Sequence, residues 1–250
     1  MRYDRYNREE RALIAHLFVL LHEGLSHDPY HSGLAELLRL VEASGLQFSR
    51  YNLPDINKLN FNKPAILTEI AFIRDAYRAV FPNVTPFMNK LVLQVMALEE
   101  IENCRLYSLL PEDLRDPDRT HPMQIKYRGR DVLTPDEMQV YGTIQNMFAV
   151  KPDLAVIIDG FLIVFDIKLM EPFNEPQLLL TEKVASIWAS NLLYSDLGFK
   201  EEPSYRVTRI GPARSRVAIS WEEICEIAHR LYPKHNRTRI VLESSLALID

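Results

Sequence analysis

The chain has 250 residues, of which 47% are hydrophobic, 10% aromatic and 25% charged, and its formal net charge is −5. That balance excludes wholesale disorder, a collagen-like or coiled-coil fibre, and a polybasic coat for nucleic acid. The two cysteines, Cys104 and Cys225, make no CxxC pair, which excludes a disulfide scaffold or a Cys-rich zinc site and points to a reducing compartment.

The start, MRYDRYNREER, is densely charged and has no apolar core of the kind a signal peptide carries. The apolar run Ala12 to Leu21 is interrupted by His16 and is too short to span a bilayer. The expected location is cytoplasmic, with no membrane partner. Leu13, Leu17, Leu20 and Leu21 recur at helical spacing within 7–22, and Leu34, Leu37, Leu38 and Val41 do so within 32–43. Gly24 and Gly45 follow these two helices as C-terminal caps often do. Residues 1–60 therefore read as a helical N-terminal region. Asn62-Lys63-Pro64 opens a third predicted helix to about Val80, stopped by Pro82, and a fourth spans 86–102.

Residues 105–121 are polar and punctuated by proline, and they read as a loop or boundary. A strand follows at 123–127, with a turn at Gly129. Thr134-Pro135-Asp136-Glu137 is a capping box with proline at the first helical position, which predicts a helix to about Met147. The runs 154–158 and 161–169 are apolar and rich in β-branched residues, and Asp159-Gly160 lies between them. Asp-Gly in that position is a strong signal for a β-hairpin. Both faces of these strands are hydrophobic, as in strands covered on two sides. A helix over 176–194, strands over 205–210 and 216–219, and a capping box at Ser220 and Glu223 opening a helix to Leu231 complete the pattern. The tail from Arg239 reads as a last helix or strand. The expected fold class is α/β, a mixed central sheet flanked by helices.

The hairpin makes a geometric statement. With a two-residue turn at Asp159-Gly160, Ile158 faces Phe161, and counting outward sets Asp153 opposite Asp166. Directly opposed residues have β-carbons about 4.5–5.5 Å apart, and two like charges there repel. Strand alternation places Lys168 on the face of Asp166. Such a pair either frays into solvent or is relieved by a raised pKa or a bound cation. The apolar residues Phe165, Ile167 and Leu169 argue against a frayed end.

Helix geometry nominates a third carboxylate. On a helix from Asn62 to Val80, Glu69 is the acid in the middle of a stripe made by Ile66, Phe72, Ile73, Ala76, Tyr77 and Val80, while Arg74, Asp75 and Arg78 lie opposite. A buried carboxylate must be paired, protonated or bound to metal. Glu69 is thus either a satisfied core glutamate or a metal ligand.

Pro152-Asp153, twelve residues, then Asp166-Ile167-Lys168 resembles the PD-(D/E)XK nuclease superfamily, whose fold is restriction-endonuclease-like. In that family a glutamate on a preceding helix often joins the two acids, and Glu69 matches it; Glu99, Glu100 and Glu102 are alternative donors. A glutamine or lysine on the helix after the motif strand sometimes assists, which points to Gln177 or Lys183. The resemblance implies a nuclease-like domain over 61–250 with a helical insertion around 83–121.

Hard oxygen ligands from Asp153, Asp166 and Glu69, with the carbonyl of Ile167 at the family's position, suit Mg2+ or Mn2+ rather than zinc. Lys168 beside the ion would hold the attacking water, help deprotonate it, or stabilise the transition state. Lys126 and Arg128, flanking Gly129 with Arg130, and Arg206 and Arg209, near Arg214 and Arg216, are candidate phosphate contacts. No phosphate-binding glycine loop, HExxH or G-x-S-x-G is present, and the seven histidines are scattered. The expected activity is metal-dependent hydrolysis of DNA phosphodiester bonds by an endonuclease, in phage defence, mobile-element transfer or repair. The alternative is a non-catalytic binding or assembly protein with the same fold. Expected partners are DNA and, through the N-terminal helices, a second copy or another protein.

Overall fold

The computed structural model describes residues 3–80, 83–104, 134–169, 173–193, 202–213 and 218–246. The strand and turn expected over 123–129, with Lys126, Arg128 and Arg130, lie outside them, as do Arg214 and Arg216. The helices are α1 (Tyr3–His22), α2 (Gly33–Ala43), α3 (Phe72–Ala79), α4 (Val84–Leu98), α5 (Pro135–Ala149), α6 (Glu175–Ile187), α7 (Trp221–Leu231) and α8 (Arg237–Leu246); α6 runs on into a π-helical segment, Trp188–Leu193. The strands are β1 (Ala65–Thr68), β2 (Leu154–Ile158), β3 (Phe161–Ile167), β4 (Ser204–Gly211) and β5 (Ile219–Ser220). They form one sheet in the order β1-β2-β3-β4-β5. β1, β2 and β3 are antiparallel neighbours, and β4 and β5 continue the sheet in parallel, so the sheet is mixed as expected.

The predicted helix from Asn62 to Val80 is corrected. Its first part is the edge strand β1, its second is α3, and Glu69 between them has φ +51°. Four residues are too few for periodicity to separate strand from helix, and the apolar spacing ran on across the break. Of the strand expected at 216–219, residues 216 and 217 lie outside the described residues and Ile219 begins β5; the tail is helical from Arg237 to Leu246.

The chain divides into two compact units, one of Met1–Glu69, Pro152–Leu178 and Phe199–Asp250, the other of Ile70–Lys151 and Leu179–Gly198. In the first, Leu13, Leu17, Leu20 and Leu21 of α1 and Leu34, Leu37, Leu38 and Val41 of α2 share a core with Leu154, Val156, Phe161, Ile163 and Phe165 of the sheet and Trp221 and Ile224 of α7. The N-terminal helices therefore belong with the sheet. α1 and α2 approach closely at Gly33, where a Cβ would lie 1.9 Å from the Leu20 carbonyl oxygen. Every residue of β2 and β3 is buried, as their two-faced hydrophobicity predicts. Asp159 (φ +45°) and Gly160 (φ +82°) give the hairpin turn its positive dihedrals. Both capping boxes form, Thr134 with Glu137 and Ser220 with Glu223. In the second unit α3, α4 and α5 pack through Tyr77, whose ring meets Phe87 and Phe148 edge-on. Among the described residues no helix is long and apolar enough to cross a membrane.

Candidate active site

The β2–β3 register fixes the acids. Ile158 pairs with Phe161 and Leu154 with Phe165, so the next step outward sets Asp153 against Asp166. The Asp153 carboxylate turns along the hairpin, and its Oδ2 accepts the Ile167 N–H at 2.8 Å. Ile167 thus gives its amide to this acid, and its side chain is fully buried. Asp166 is 6% exposed. Its Oδ1 lies 3.4 Å from Lys168 Nζ, while its Oδ2 is buried and has no hydrogen-bond partner among the described residues.

Lys168 is held by its main chain at the end of β3. Its N–H donates to the Ile210 carbonyl on β4 at 3.0 Å, and its own carbonyl accepts the Trp221 indole N–H at 2.9 Å. The ammonium therefore leaves a fixed backbone. It also meets Glu10 Oε1 of α1 at 3.6 Å, and both side chains are about five-sixths buried.

Burial dominates the electrostatics here. It pushes the Asp153 carboxyl up to about 7, against the Ile167 hydrogen bond and the Lys168 charge, with Asp166 and Glu10 adding to the rise. Burial alone would lower the Lys168 ammonium, but Asp166, Asp153 and Glu10 outweigh it and raise the group above its ordinary value. Lys168 is thus a fixed positive charge at neutral pH. That suits charge stabilisation and water orientation, and it disfavours Lys168 as a general base.

A pH dependence follows. Asp153 takes up its proton more readily folded than unfolded, so its contribution to stability is full below about pH 4 and is lost as pH rises through about 7. The loss is on the order of 4 kcal/mol at most. Without metal, the melting temperature of wild-type protein should fall across this window relative to Asp153→Asn, as read by melting curves from pH 4 to 8.

Glu10 escaped the sequence reading. It sits three, four and seven residues before Leu13, Ile14 and Leu17, on the apolar stripe of α1. The stripe criterion applied to Glu69 would have found it. Glu69 itself is not a helical acid. Its N–H donates to the Asp153 carbonyl at 3.3 Å, extending the β1–β2 pairing, but its half-exposed carboxylate pairs with Arg11 Nε at 3.5 Å.

The other expected residues scatter. Gln177 is exposed in the first turn of α6. Lys183 belongs to the second unit, where its ammonium bonds Glu99 at 2.6 Å; Glu99 also accepts from Gln139 and Thr143. Glu99 is therefore fully used in a structural ion pair. Glu100 and Glu102 lie in the same unit. On β4, Arg209 pairs in register with Asp166, whereas Arg206 pairs with Ile163 and so leaves the strand on the opposite face. Arg209 Nη2 bonds both carboxylate oxygens of Glu175 at 2.7 Å, and its guanidinium lies over Phe173 at 5.1 Å.

Among the described residues no three or more His, Cys, Asp or Glu side chains are gathered closely enough to hold a metal ion as they stand. The donor chemistry nonetheless fits a hard cation. A half-buried acid raised to about 7 stands opposite a buried acid whose Oδ2 has no partner among the described residues, and a divalent ion would relieve both conditions. No family model matches the chain, and no curated protein or solved structure matches it.

Proposed function

We propose that the chain is a divalent-metal-dependent DNA nuclease, an endonuclease of the restriction-like class. The observation that carries this reading is the cross-strand pair of half-buried Asp153 and buried Asp166, with an Asp166 oxygen that has no partner among the described residues and Lys168 fixed beside it. The mixed sheet with this hairpin at its centre and helices around it supports the restriction-endonuclease-like form. So does Glu10, a carboxylate from α1, a helix that comes before the sheet in the chain as the resemblance asks of its glutamate.

Asp153, Asp166 and Glu10 are the residues that would hold Mg2+ or Mn2+. Bound there, the ion supplies a Lewis acid for the phosphate and a more acidic water. The chain's own residues do the rest. Lys168 places a positive charge where negative charge grows on the phosphate oxygens, and it orients the water through its ammonium donors. Hydrolysis forms a bond from the water oxygen to phosphorus and breaks the bond to the leaving sugar oxygen; the attacking water gives up a proton to solvent, and the leaving oxygen takes one from solvent. The buried walls around Asp166 lower the local dielectric and strengthen these interactions.

Supercoiled plasmid incubated with the protein is expected to be nicked in magnesium or manganese and left intact in EDTA. Plasmid that stays supercoiled with either metal would favour a binding or assembly protein instead. Within the same assay Glu10 and Glu69 separate cleanly. Glu10→Gln should slow nicking about 10–100-fold, because it removes the charge of an acid that would hold the ion and that pairs with Lys168. Glu69→Gln, which breaks only an exposed pair with Arg11, should change it less than about twofold. The reverse ranking would restore Glu69 as the third acid.

A further inference from the structure

Arg209 stands beside Asp166 in the β3–β4 register, on neighbouring strands about 4.8 Å apart, so its side chain leaves the sheet on the same face. A guanidinium grips a phosphate with two parallel N–H bonds, either from Nη1 with Nη2 or from Nε with Nη2. Both forks need Nη2. In this structure Nη2 is held by both oxygens of Glu175, while Nε and Nη1 have no hydrogen bond among the described residues. The guanidinium carbon lies 5.1 Å from the Phe173 ring centre, and the Arg209 side chain keeps 22% of its surface exposed. The holder is weak: the Glu175 side chain is 66% exposed, so water screens the pair.

We propose that Arg209 is a phosphate subsite beside Asp166, and that the Glu175 carboxylate occupies it until a backbone phosphate of DNA displaces it. The inference rests on the nuclease reading and adds a competitor internal to the chain. A phosphodiester presents a pair of anionic oxygens as a carboxylate does, so it can displace Glu175 from Nη2 and complete a fork with Nε or Nη1. Exchange costs no new buried charge, because one anion replaces another at the same guanidinium. The Glu175 pair lowers affinity for every DNA, whatever its sequence, and tightens discrimination against weakly held anions.

The test is a double-mutant cycle with two readouts. One is fluorescence anisotropy of a fluorescein-labelled DNA duplex in EDTA, and the other is KM for plasmid nicking in magnesium. Arg209→Ala should weaken binding about 5–10-fold and reduce the slope of log affinity against log salt by about one. Glu175→Gln should tighten binding about threefold when Arg209 is present and leave it unchanged when Arg209 is alanine. Glu226→Gln, another exposed acid of the first unit, should have little effect in either background and controls for net charge. Wild-type protein that nicks plasmid but shows no Arg209–Glu175 coupling in either readout overturns the subsite alone. Equal tightening by Glu175→Gln in the Arg209→Ala background overturns it too. Wild-type protein that neither binds nor nicks DNA overturns the nuclease reading, and the subsite with it.

Discussion

Lys168→Ala is expected to slow plasmid nicking by at least about 10²–10³-fold with little change in KM, since Lys168 acts on developing charge and not on ground-state binding. Its effect on stability should be separable. The ammonium faces Asp166 and Glu10, and its side chain is 16% exposed. Without it, three neighbouring acids lack a counter-charge, and removing one partner of such a buried group costs about 3–5 kcal/mol. The melting temperature without metal should therefore drop, and magnesium should recover much of the loss. Lys168→Arg should retain the stability but not the rate, because the longer planar group cannot place its charge at the ammonium's position. Activity in the alanine variant close to wild type would remove Lys168 from the chemistry.

Asp166→Asn should show the opposite stability pattern with a comparable loss of rate, about 10³-fold or more. Asparagine keeps the shape but removes the charge that repels Asp153 across the hairpin. It also removes the carboxylate oxygen that is buried without a partner among the described residues. Metal-free protein should melt at the wild-type temperature or above it, although Lys168 loses one of its two ion pairs. The rise in melting temperature that magnesium gives the wild type should disappear. Inactive yet no less stable is the behaviour of a residue retained for function at the expense of stability. A variant that is less stable without metal and still responds to magnesium would place the ion elsewhere. Calorimetric melting of both variants, with and without magnesium, reads all of these outcomes.

What was legible in the sequence was what local chemistry dictates. Asp159-Gly160 demanded positive dihedrals at both turn positions, and that fixed the register that sets Asp153 against Asp166. The Ser-x-x-Glu and Thr-x-x-Glu patterns located two helix starts because each is a pair of reciprocal hydrogen bonds. Lys168 followed from strand alternation. What failed was non-local. β1 is a four-residue edge strand that gains its structure from pairing with β2, so its own residues carry too little periodicity to declare it. That error put Glu69 on a helix it does not occupy, while Glu10 stood on the apolar stripe of α1 and meets the hairpin end only through the tertiary fold. Whether an arginine on β4 faces the acids depended on the β3–β4 register. That register joins Arg209 to Asp166 and sends Arg206 to the other face, and no spacing within β4 reveals it.

The most direct measurement is anomalous diffraction from crystals grown with manganese at a pH above 7, where Asp153 is ionised. A manganese peak between the carboxylates of Asp153 and Asp166, with Asp166 Oδ2 among its ligands and Lys168 alongside, is the expected result. Crystals from the same manganese solution that show both carboxylates well ordered, no peak between them, and Asp166 Oδ2 satisfied by a protein donor would contradict it.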